Sequence, residues 1–488
     1  MWKLGRLKPG DKTTLTPISY KSARELAEQK ATFIDVVAKN ISSGALEHEK
    51  PLTLLDVQEV ASETDAILQV IPSSNGGPKL TLRQGGDRFV IVNVDVSSQK
   101  VGLDTSVASN NLVRAIESSG TPGTYVHENI SSIMVEYEPE KIAQSDVVAL
   151  INTAHAQSSN SEKPVSSRRF ILPIVFNHPS IQEAEKRYST MQRDKAVYVP
   201  DNATYVQENN GLSSRDDVFE VLRKTRFLVV TVGFMTGLPI LWPLNPLARL
   251  TGQKYNPTRI TTPPGTVALG GGLFCVYPAD QPGGYMMLAR SIPVWDTYAL
   301  RPGFRDSKPW LFEPFDLVEF EEVSLDEYAE IWRKFEAGTY EIKVEETSFD
   351  VHAELAKEHE TSHTPAILEF RAKQAAAEEK MRHREEKLFT EWKLEQDKNR
   401  GSAPRELDDA TPGVKVSSPQ VGKVWKLLVG CGDIIEKGKG LIVLEAMKME
   451  ITVSADESHH GLVVKELLVQ EGTLVSPGTS LALLDTPE

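Results

Sequence analysis

One lysine stands in a context that suits covalent chemistry. Lys448 lies between Met447 and Met449, behind the apolar run 440–446 and ahead of 451–454, where strand-like alternation resumes. This pattern predicts two strands joined by a tight connection, with Lys448 at the tip of the hairpin. An exposed primary amine on a rigid turn can form an amide with a carboxyl group, and a long group attached there can swing. We therefore expect Lys448 to be modified; the alternative is an ordinary surface lysine.

An internal repeat surrounds this lysine. Shifting the chain by 40 residues superposes eight identical pairs. They are Val424 and Val464, Leu427 and Leu467, Leu428 and Leu468, Val429 and Val469, Gly432 and Gly472, Gly438 and Gly478, Leu441 and Leu481, and Leu444 and Leu484. Two similar halves of short strands and glycine turns predict a small β domain with pseudo-twofold symmetry.

The hexapeptide 445–450, Glu-Ala-Met-Lys-Met-Glu, resembles the site that biotin protein ligase recognises in biotin-dependent carboxylases. The resemblance implies biotin bound covalently to Lys448, with Met447 and Met449 as flanking recognition residues. It also implies that 414–486 is a biotin carboxyl carrier domain, a biotinyl/lipoyl barrel-sandwich. Biotin protein ligase is then an expected partner.

Composition limits the remaining classes of function. The 488 residues have room for about three domains, and 40% of them are hydrophobic, which allows substantial cores. A net charge of −14 argues against nucleic acid or an anionic membrane as a partner. Cys275 and Cys431 are too few for a disulfide framework and lack metal-ligand spacing, so we expect no metal site and a reducing, cytoplasmic location. The longest apolar stretch, 227–242, is too short and too interrupted to span a bilayer.

A second group of polar residues lies in a stretch dense in glycine and proline, 225–320, whose short strands favour a closed or nearly closed barrel. Asn256, Arg259 and Tyr285 stand there beside glycine clusters, where a backbone can approach a planar ligand closely. Their side chains could donate hydrogen bonds to a ureido oxygen. The alternative is that they only stabilise turns.

Segments 254–260, 270–277 and 281–285, followed by Arg290 and Trp295, closely resemble the second half of the carboxyltransferase region of urea carboxylases. The resemblance implies an α+β and β protein, with a small α/β subdomain over 80–156 and a cyclophilin-like β-barrel over 168–345. Residues 1–35 are similar to the segment that closes the first carboxyltransferase half in these enzymes. The chain is then expected to begin within a larger reading frame or a split gene.

A long helix separates the barrel from the carrier. Residues 367–396 contain neither glycine nor proline and carry apolar residues at mostly helical spacing, which predicts an amphipathic helix within a helical linker, 350–400. The helix either packs on the barrel or acts as a strut that sets the reach of the carrier. A Gly-, Ser- and Pro-containing flexible linker over 401–413 is expected to follow.

The resemblance implies a component of a biotin-dependent carboxylase, in which carboxylate passes from carboxybiotin to urea to give allophanate. We find no nucleotide-binding signature, so ATP and bicarbonate are expected to act only at a separate biotin carboxylase. The missing first carboxyltransferase half is the other expected partner. Guanidine or another small amide remains open as the substrate. The alternatives are an ATP-dependent amide hydrolase component like 5-oxoprolinase, or a non-catalytic regulatory protein with a carrier domain.

Overall fold

The computed structural model describes residues 12–14, 18–44, 66–73, 78–95, 102–158, 164–399, 413–446 and 449–486. It forms two compact units, 1–161 and 162–488. Residues 1–11 and 15–17 of the segment 1–35 lie outside the described residues, and so does the linker predicted over 401–413 except for Gly413.

The first unit contains a five-stranded antiparallel sheet with the strand order β1-β2-β3-β5-β4. Alternate residues of β3 are buried, as expected for a sheet with one covered face. The buried side of the sheet shares one apolar core with helices α2 and α3. Its elements are α1 (Tyr20–Ser43), β1 (Ile67–Ile71), β2 (Lys79–Gly85), β3 (Phe89–Asp95), α2 (Leu103–Ser118), β4 (Thr124–Glu128), β5 (Ser132–Tyr137) and α3 (Gln144–Ser158).

The second unit is built on an eight-stranded sheet with the order β11-β9-β10-β8-β7-β12-β6-β13. An additional pairing of β11 with β6 links the strands from β11 to β6 into a circuit, and the largest apolar core lies against them. The strands are β6 (Val165–Phe176), β7 (Phe227–Val232), β8 (Pro239–Pro243), β9 (Thr266–Gly270), β10 (Leu273–Val276), β11 (Met286–Arg290), β12 (Leu317–Glu322) and β13 (Lys343–Phe349).

Helices cover this sheet. They are α4 (Pro179–Met191), α5 (Asn202–Asn209), α6 (Arg215–Lys224), α7 (Leu325–Glu336), α8 (Val351–Thr361) and α9 (Pro365–Asn399). The helix predicted over 367–396 is therefore confirmed as α9. Met381 of α9 belongs to the large core, and Glu385 accepts a 2.6 Å hydrogen bond from the fully buried side chain of Arg193. This part of α9 packs against the core of the eight-stranded sheet. The contact agrees with the interpretation that the helix packs on the body of the unit and does not only act as a strut.

The C-terminal β domain has two sheets, β14-β20-β18 and β17-β16-β15-β19, around one apolar core. Equivalent glycines of the two halves of the predicted repeat form equivalent backbone hydrogen bonds. The amide of Gly432 donates to Val464 O and that of Gly472 donates to Val424 O, both at 2.8 Å. The strands are β14 (Val414–Ser417), β15 (Gly422–Leu427), β16 (Gly440–Ala446), β17 (Met449–Ser454), β18 (Val463–Leu467), β19 (Leu474–Val475) and β20 (Ser480–Asp485).

We predict that Gly432→Ala destabilises this domain by about 1–3 kcal/mol, because the backbone there has φ +93°, a conformation that side chains disfavour. Space around Gly432 is open, so any loss comes from the backbone and not from a clash. Gly430→Ala is the matched control, since Gly430 also has open space but no positive φ. Thermal melts of the C-terminal domain in both variants test this, and equal melting temperatures would contradict it.

Candidate functional site

The hairpin that carries the candidate lysine is formed by β16 and β17. Their pairing extends to Ala446 and Met449, so residues 447 and 448 connect the strands. Met447 and Lys448 lie outside the described residues, and so does the side chain of Met449. The next residue, Glu450, is exposed and accepts a 2.5 Å hydrogen bond from Arg187 Nη1 on α4. This ion pair fixes the base of the hairpin against α4.

The carrier contacts α4 through a small apolar cluster. Trp425 on β15 and Val443 on β16 pack against Met191 at the end of the helix, and all three side chains are buried. The guanidinium of Arg187 lies over the Trp425 ring at 4.9 Å, within the range of a cation–π contact. The C-terminal domain is therefore seated on the second unit at a defined place.

A groove of about 270 Å³ lies beside this contact, lined by residues of α4, of the loop 261–263 and of the carrier. Its lining includes Ser180, Arg187, Thr261, Trp425 and Glu450. The volume is just below the usual range for ligand pockets, and the groove is open to solvent at the foot of the hairpin.

Asp280 lies in the same electrostatic neighbourhood. Burial raises the pKa of its carboxyl group, while the Thr262 backbone N–H and the charges of Arg187 and Arg290 oppose the rise. Glu450 adds a smaller effect in the direction of the rise. Asp280 is exposed at the surface, but the partial burial of its carboxyl group raises the pKa and makes the group easier to protonate than a fully solvated aspartate.

Arg290 is a partly buried cation near Asp280. Its Nη1 donates to Ser180 Oγ at 2.5 Å and its Nε donates to Pro264 O at 3.2 Å. The guanidinium also lies over the Trp332 ring at 4.6 Å, and burial lowers its pKa. No carboxylate among the described residues forms a salt bridge with Arg290, so its charge remains available to an anionic group.

The structure places Arg259 in the interior, with 1% of its surface exposed. Its Nη1 donates to Tyr285 O at 2.6 Å, its Nη2 donates to Thr262 Oγ1 at 3.2 Å, and its guanidinium lies over the Tyr255 ring at 4.3 Å. Its backbone also pairs with Gly283, where an added Cβ would lie 2.3 Å from the Tyr277 hydroxyl. Arg259 thus ties the loop 261–263, part of which lines the groove, to the segment 281–285.

Asn256 and Tyr285 lie near Arg259 but differ in exposure. Asn256 is exposed, and its backbone N–H and C=O are bonded to Tyr198 and Arg193. Tyr285 is half-buried with its ring against Gly270, and burial raises its pKa to about 12. The structure brings Tyr285 to Arg259 through the Tyr285 carbonyl, while Asn256 is not among the residues lining the groove.

Sequence reasoning did not single out Asp280, Arg187 or Trp425. Asp280 directly precedes the segment 281–285. The proline and glycines of this segment predict turns, and an aspartate beside them is typical of a turn. Trp425 could have been noticed because the equivalent position in the other half of the repeat is a lysine, Lys465. Arg187 gave no local signal, because its partner Glu450 is 263 residues away.

The geometry of a β domain seated beside a groove agrees with the family comparisons. Residues 80–304 match the family described as carboxyltransferase domain, subdomain C and D, and 414–484 match the family described as biotin-requiring enzyme. The chain therefore joins a carboxyltransferase domain to a domain that carries covalently bound biotin.

Over its whole length the chain is homologous to urea carboxylases and urea amidolyases. It is 33% identical to a urea amidolyase of Lachancea kluyveri over 99% of this chain and 26% of that protein. It is 32% identical to a putative urea carboxylase of Emericella nidulans over 99% of this chain and 40% of that protein. The urea carboxylase structure of Kluyveromyces lactis matches with a TM-score of 0.80 and 30% identity, over 99% of this chain and 41% of that one.

Two further features hold for the described residues. None of their helices combines the length and apolar character that crossing a membrane requires. No group of three or more histidine, cysteine, aspartate or glutamate residues among them could hold a metal ion.

We predict an acid-sensitive element at the first turn of α4. His178 caps this helix by accepting from Ser180 N at 3.1 Å, and burial, helped by the charge of Arg290, lowers its pKa to about 4. Between pH 4 and 6.5 the unfolded chain binds a proton that the folded protein does not, so the stability from the neutral ring is lost as the pH falls.

His178→Asn, which retains a capping acceptor, should therefore lose less stability than the wild type between pH 7 and 4.5, by roughly 1–2 kcal/mol. Denaturant unfolding at both pH values measures the difference. An identical pH dependence in the two proteins would show that His178 is not the responsible group.

Proposed function

We propose that this chain is the carboxyltransferase second half and biotin-carrier portion of a urea carboxylase-like enzyme. In this function a carboxyl group carried by biotin on Lys448 is transferred to urea, giving allophanate. The ion pair between Arg187 and Glu450 is the main support, because Glu450 lies two residues after Lys448 and also lines the groove. The names of the full-length homologues support urea as the substrate.

Biotin, when bound, supplies the ureido ring that carries and releases the carboxyl group. Two residues that interact with the groove lining would do the rest: Asp280, through the charges of Arg187 and Glu450, and Arg290, through its bond to Ser180. We assign to Asp280 the acceptance of a hydrogen bond from a urea N–H, and its raised pKa suits it to take that proton as the nitrogen forms its new bond. The charge of Arg290 would stabilise the anionic carboxyl group during transfer.

The three residues singled out from the sequence take different places in this proposal. Arg259, with its donors occupied by Tyr285 O and Thr262 Oγ1, is assigned as a positioning residue, since Thr262 in turn holds Asp280. Asn256 is exposed and is assigned to urea recognition, because an amide side chain matches the donor and acceptor edge of urea. Tyr285 is proposed to form a wall near Lys254, whose Nζ lies 5.5 Å from its ring centroid.

The chain spans 26% to 41% of the length of the relatives named above, so other components belong to the proposal. A biotin carboxylase would use ATP and bicarbonate to load biotin, the first carboxyltransferase half would complete the transfer site, and biotin protein ligase would attach the cofactor. We propose the cytosol as their location, which suits the free cysteines Cys275 and Cys431.

We also propose that the circuit of strands from β11 to β6 is the cyclophilin-like barrel expected from the sequence, with 80–156, 168–345, 350–400 and 414–486 as the domain limits. The pairing of β11 with β6 supports closure. The hydrolase and regulatory alternatives are not favoured, since homologues covering 99% of the chain are urea amidolyases and urea carboxylases.

Lys448 is predicted to carry one biotin. After co-expression with biotin protein ligase, intact mass should rise by one biotin in the wild type and in Lys439→Arg, a control on the same domain. Lys448→Arg should remain unmodified because an arginine cannot form the amide. Modification of Lys448→Arg, or none in the wild type, would remove the basis of the proposed function.

Asp280→Asn is predicted to lower urea-dependent transfer about a hundredfold or more in the enzyme reconstituted with the other components, because an amide cannot take the proton. Asparagine can still accept from Thr262 N–H, so the loop should keep its structure. Carboxylation of biotin, which occurs at a different site, should be unchanged. Transfer at the wild-type rate would exclude Asp280 from proton transfer.

Asn256→Ala tests the assignment from the sequence in the same assay. Losing one preorganised donor in the transition state should cost roughly 3 kcal/mol, or about a hundredfold in transfer rate. A change of twofold or less would instead assign Asn256 to stabilising its turn. A thermal melt of each variant separates these effects from unfolding.

A further inference from the structure

The loop 256–258 is exposed, yet its backbone is held in place by buried side chains. Asn256, Pro257 and Thr258 are all exposed. Their three carbonyl oxygens all accept hydrogen bonds from side chains of 188–193: Asn256 O from Arg193 Nη1 at 3.0 Å, Pro257 O from Tyr188 Oη at 3.0 Å, and Thr258 O from Gln192 Nε2 at 2.8 Å. The loop therefore has a fixed inner side and presents its outer side to solvent.

Asn256 is held most closely. Tyr198 Oη accepts from Asn256 N at 2.9 Å and donates to Asn256 O at 3.3 Å. Arg193 Nη1 donates to the same carbonyl and also to Tyr198 Oη, at 3.4 Å. These hydrogen bonds of Asn256 all use its backbone, so its side-chain amide is oriented without being occupied.

Glu385 on α9 fixes both groups that hold Asn256. Its Oε1 accepts from Arg193 Nη1 at 2.6 Å, and its Oε2 accepts from the backbone N–H of Val197 at 3.0 Å, next to Tyr198. Met381, about one helical turn earlier in α9, belongs to the large core. A carboxylate on a helix anchored in the core thus supports the loop 256–258 through two separate routes.

Stability alone does not explain why an arginine lies at this place. The Arg193 side chain is 0% exposed, and its Nε and Nη2 have no hydrogen-bond partner among the described residues. The guanidinium lies over the Phe389 ring at 4.8 Å, in surroundings that would suit an apolar side chain. Leaving buried donors unpaired costs stability, and apolar residues often replace a buried ion pair without loss. An apolar side chain could not, however, join Glu385 to the carbonyl group of Asn256.

We propose that Arg193 and Glu385 are a pair of positioning residues, which fix the loop 256–258 so that the Asn256 side chain is oriented towards the substrate before it binds. Neither residue touches the substrate; both act through Asn256. The orientation matters because small displacements of a group that contacts the substrate lower the rate strongly. The importance for urea rests on the proposed function of Asn256, whereas the control of the loop by Arg193 and Glu385 does not.

Hydrogen exchange of the full chain, without biotin or urea, tests the control of the loop. In Arg193→Met and in Glu385→Gln the amides of 254–259 should exchange about tenfold faster or more, the usual effect of losing one hydrogen bond to a charged group. A glutamine has one side-chain acceptor oxygen and cannot serve both Arg193 and Val197 as the carboxylate does.

Gln374→Ala is the matched control on α9. Gln374 is buried and donates to Asn210 Oδ1 at 2.7 Å and to Arg249 O at 3.0 Å, so its loss loosens the helix at another contact. Exchange of 254–259 should be unchanged in this variant. Wild-type exchange in both Arg193→Met and Glu385→Gln, or equal acceleration in Gln374→Ala, would overturn the proposal.

The reconstituted enzyme tests whether the pair acts through Asn256. Glu385→Gln should lower kcat/KM for urea about tenfold, since a displaced contact group weakens transfer without abolishing it, and should leave biotin carboxylation unchanged. In an Asn256→Ala background the same substitution should change transfer by less than about twofold, because two residues that act through one contact are not additive.

An equal fold-loss in the two backgrounds would overturn the proposed route, because Glu385 would then act on the protein in general and not through Asn256. Thermal melts of the variants accompany the assay. If Asn256→Ala alone leaves transfer unchanged, the assignment of Asn256 to urea fails, and hydrogen exchange still decides whether Arg193 and Glu385 position the loop.

Discussion

The buried guanidinium of Arg259 is the interaction on which the geometry of the groove depends. Burying a charge is costly, and Arg259 offsets part of this cost by donating to Tyr285 O and Thr262 Oγ1 and by lying over the Tyr255 ring, while its Nε has no hydrogen-bond partner among the described residues. Each contact belongs to a different part of the loop region. Thr262 accepts from Arg259 through Oγ1, and its backbone N–H favours the charged form of Asp280, so Arg259 supports the loop next to the proposed reactive group.

A second constraint is that the carrier domain must be held at a defined place and must still be able to leave it. The strands on either side of Lys448, β16 and β17, are hydrogen-bonded to each other within a domain that has one apolar core, so they move with that domain. Movement must come from the domain as a whole. A contact of three buried side chains and a few ion pairs positions the domain and can still be broken.

The features that could be predicted from the sequence are those that depend on residues close together in the chain. The repeat showed in its identities and its glycines, and the structure gives Gly432 and Gly472 φ values of +93° and +90°. The hairpin and the long helix α9 also followed from their patterns. By contrast, Arg259 was expected to face a ligand, and only tertiary structure shows that it is 1% exposed. Arg187 and Asp280 could not be recognised, because their proposed roles depend on partners from other segments of the chain.

In the proposed function, biotin on Lys448 is delivered to the groove beside α4. Electron cryomicroscopy of the biotinylated chain assembled with the first carboxyltransferase half and the biotin carboxylase, in the presence of urea, can locate the biotin ring. We expect density for the ring at the groove, on the side of Asp280 and Arg290, with Trp425 packed on Met191. A biotin ring bound at another surface of the carboxyltransferase domain, with the carrier away from α4, would contradict it.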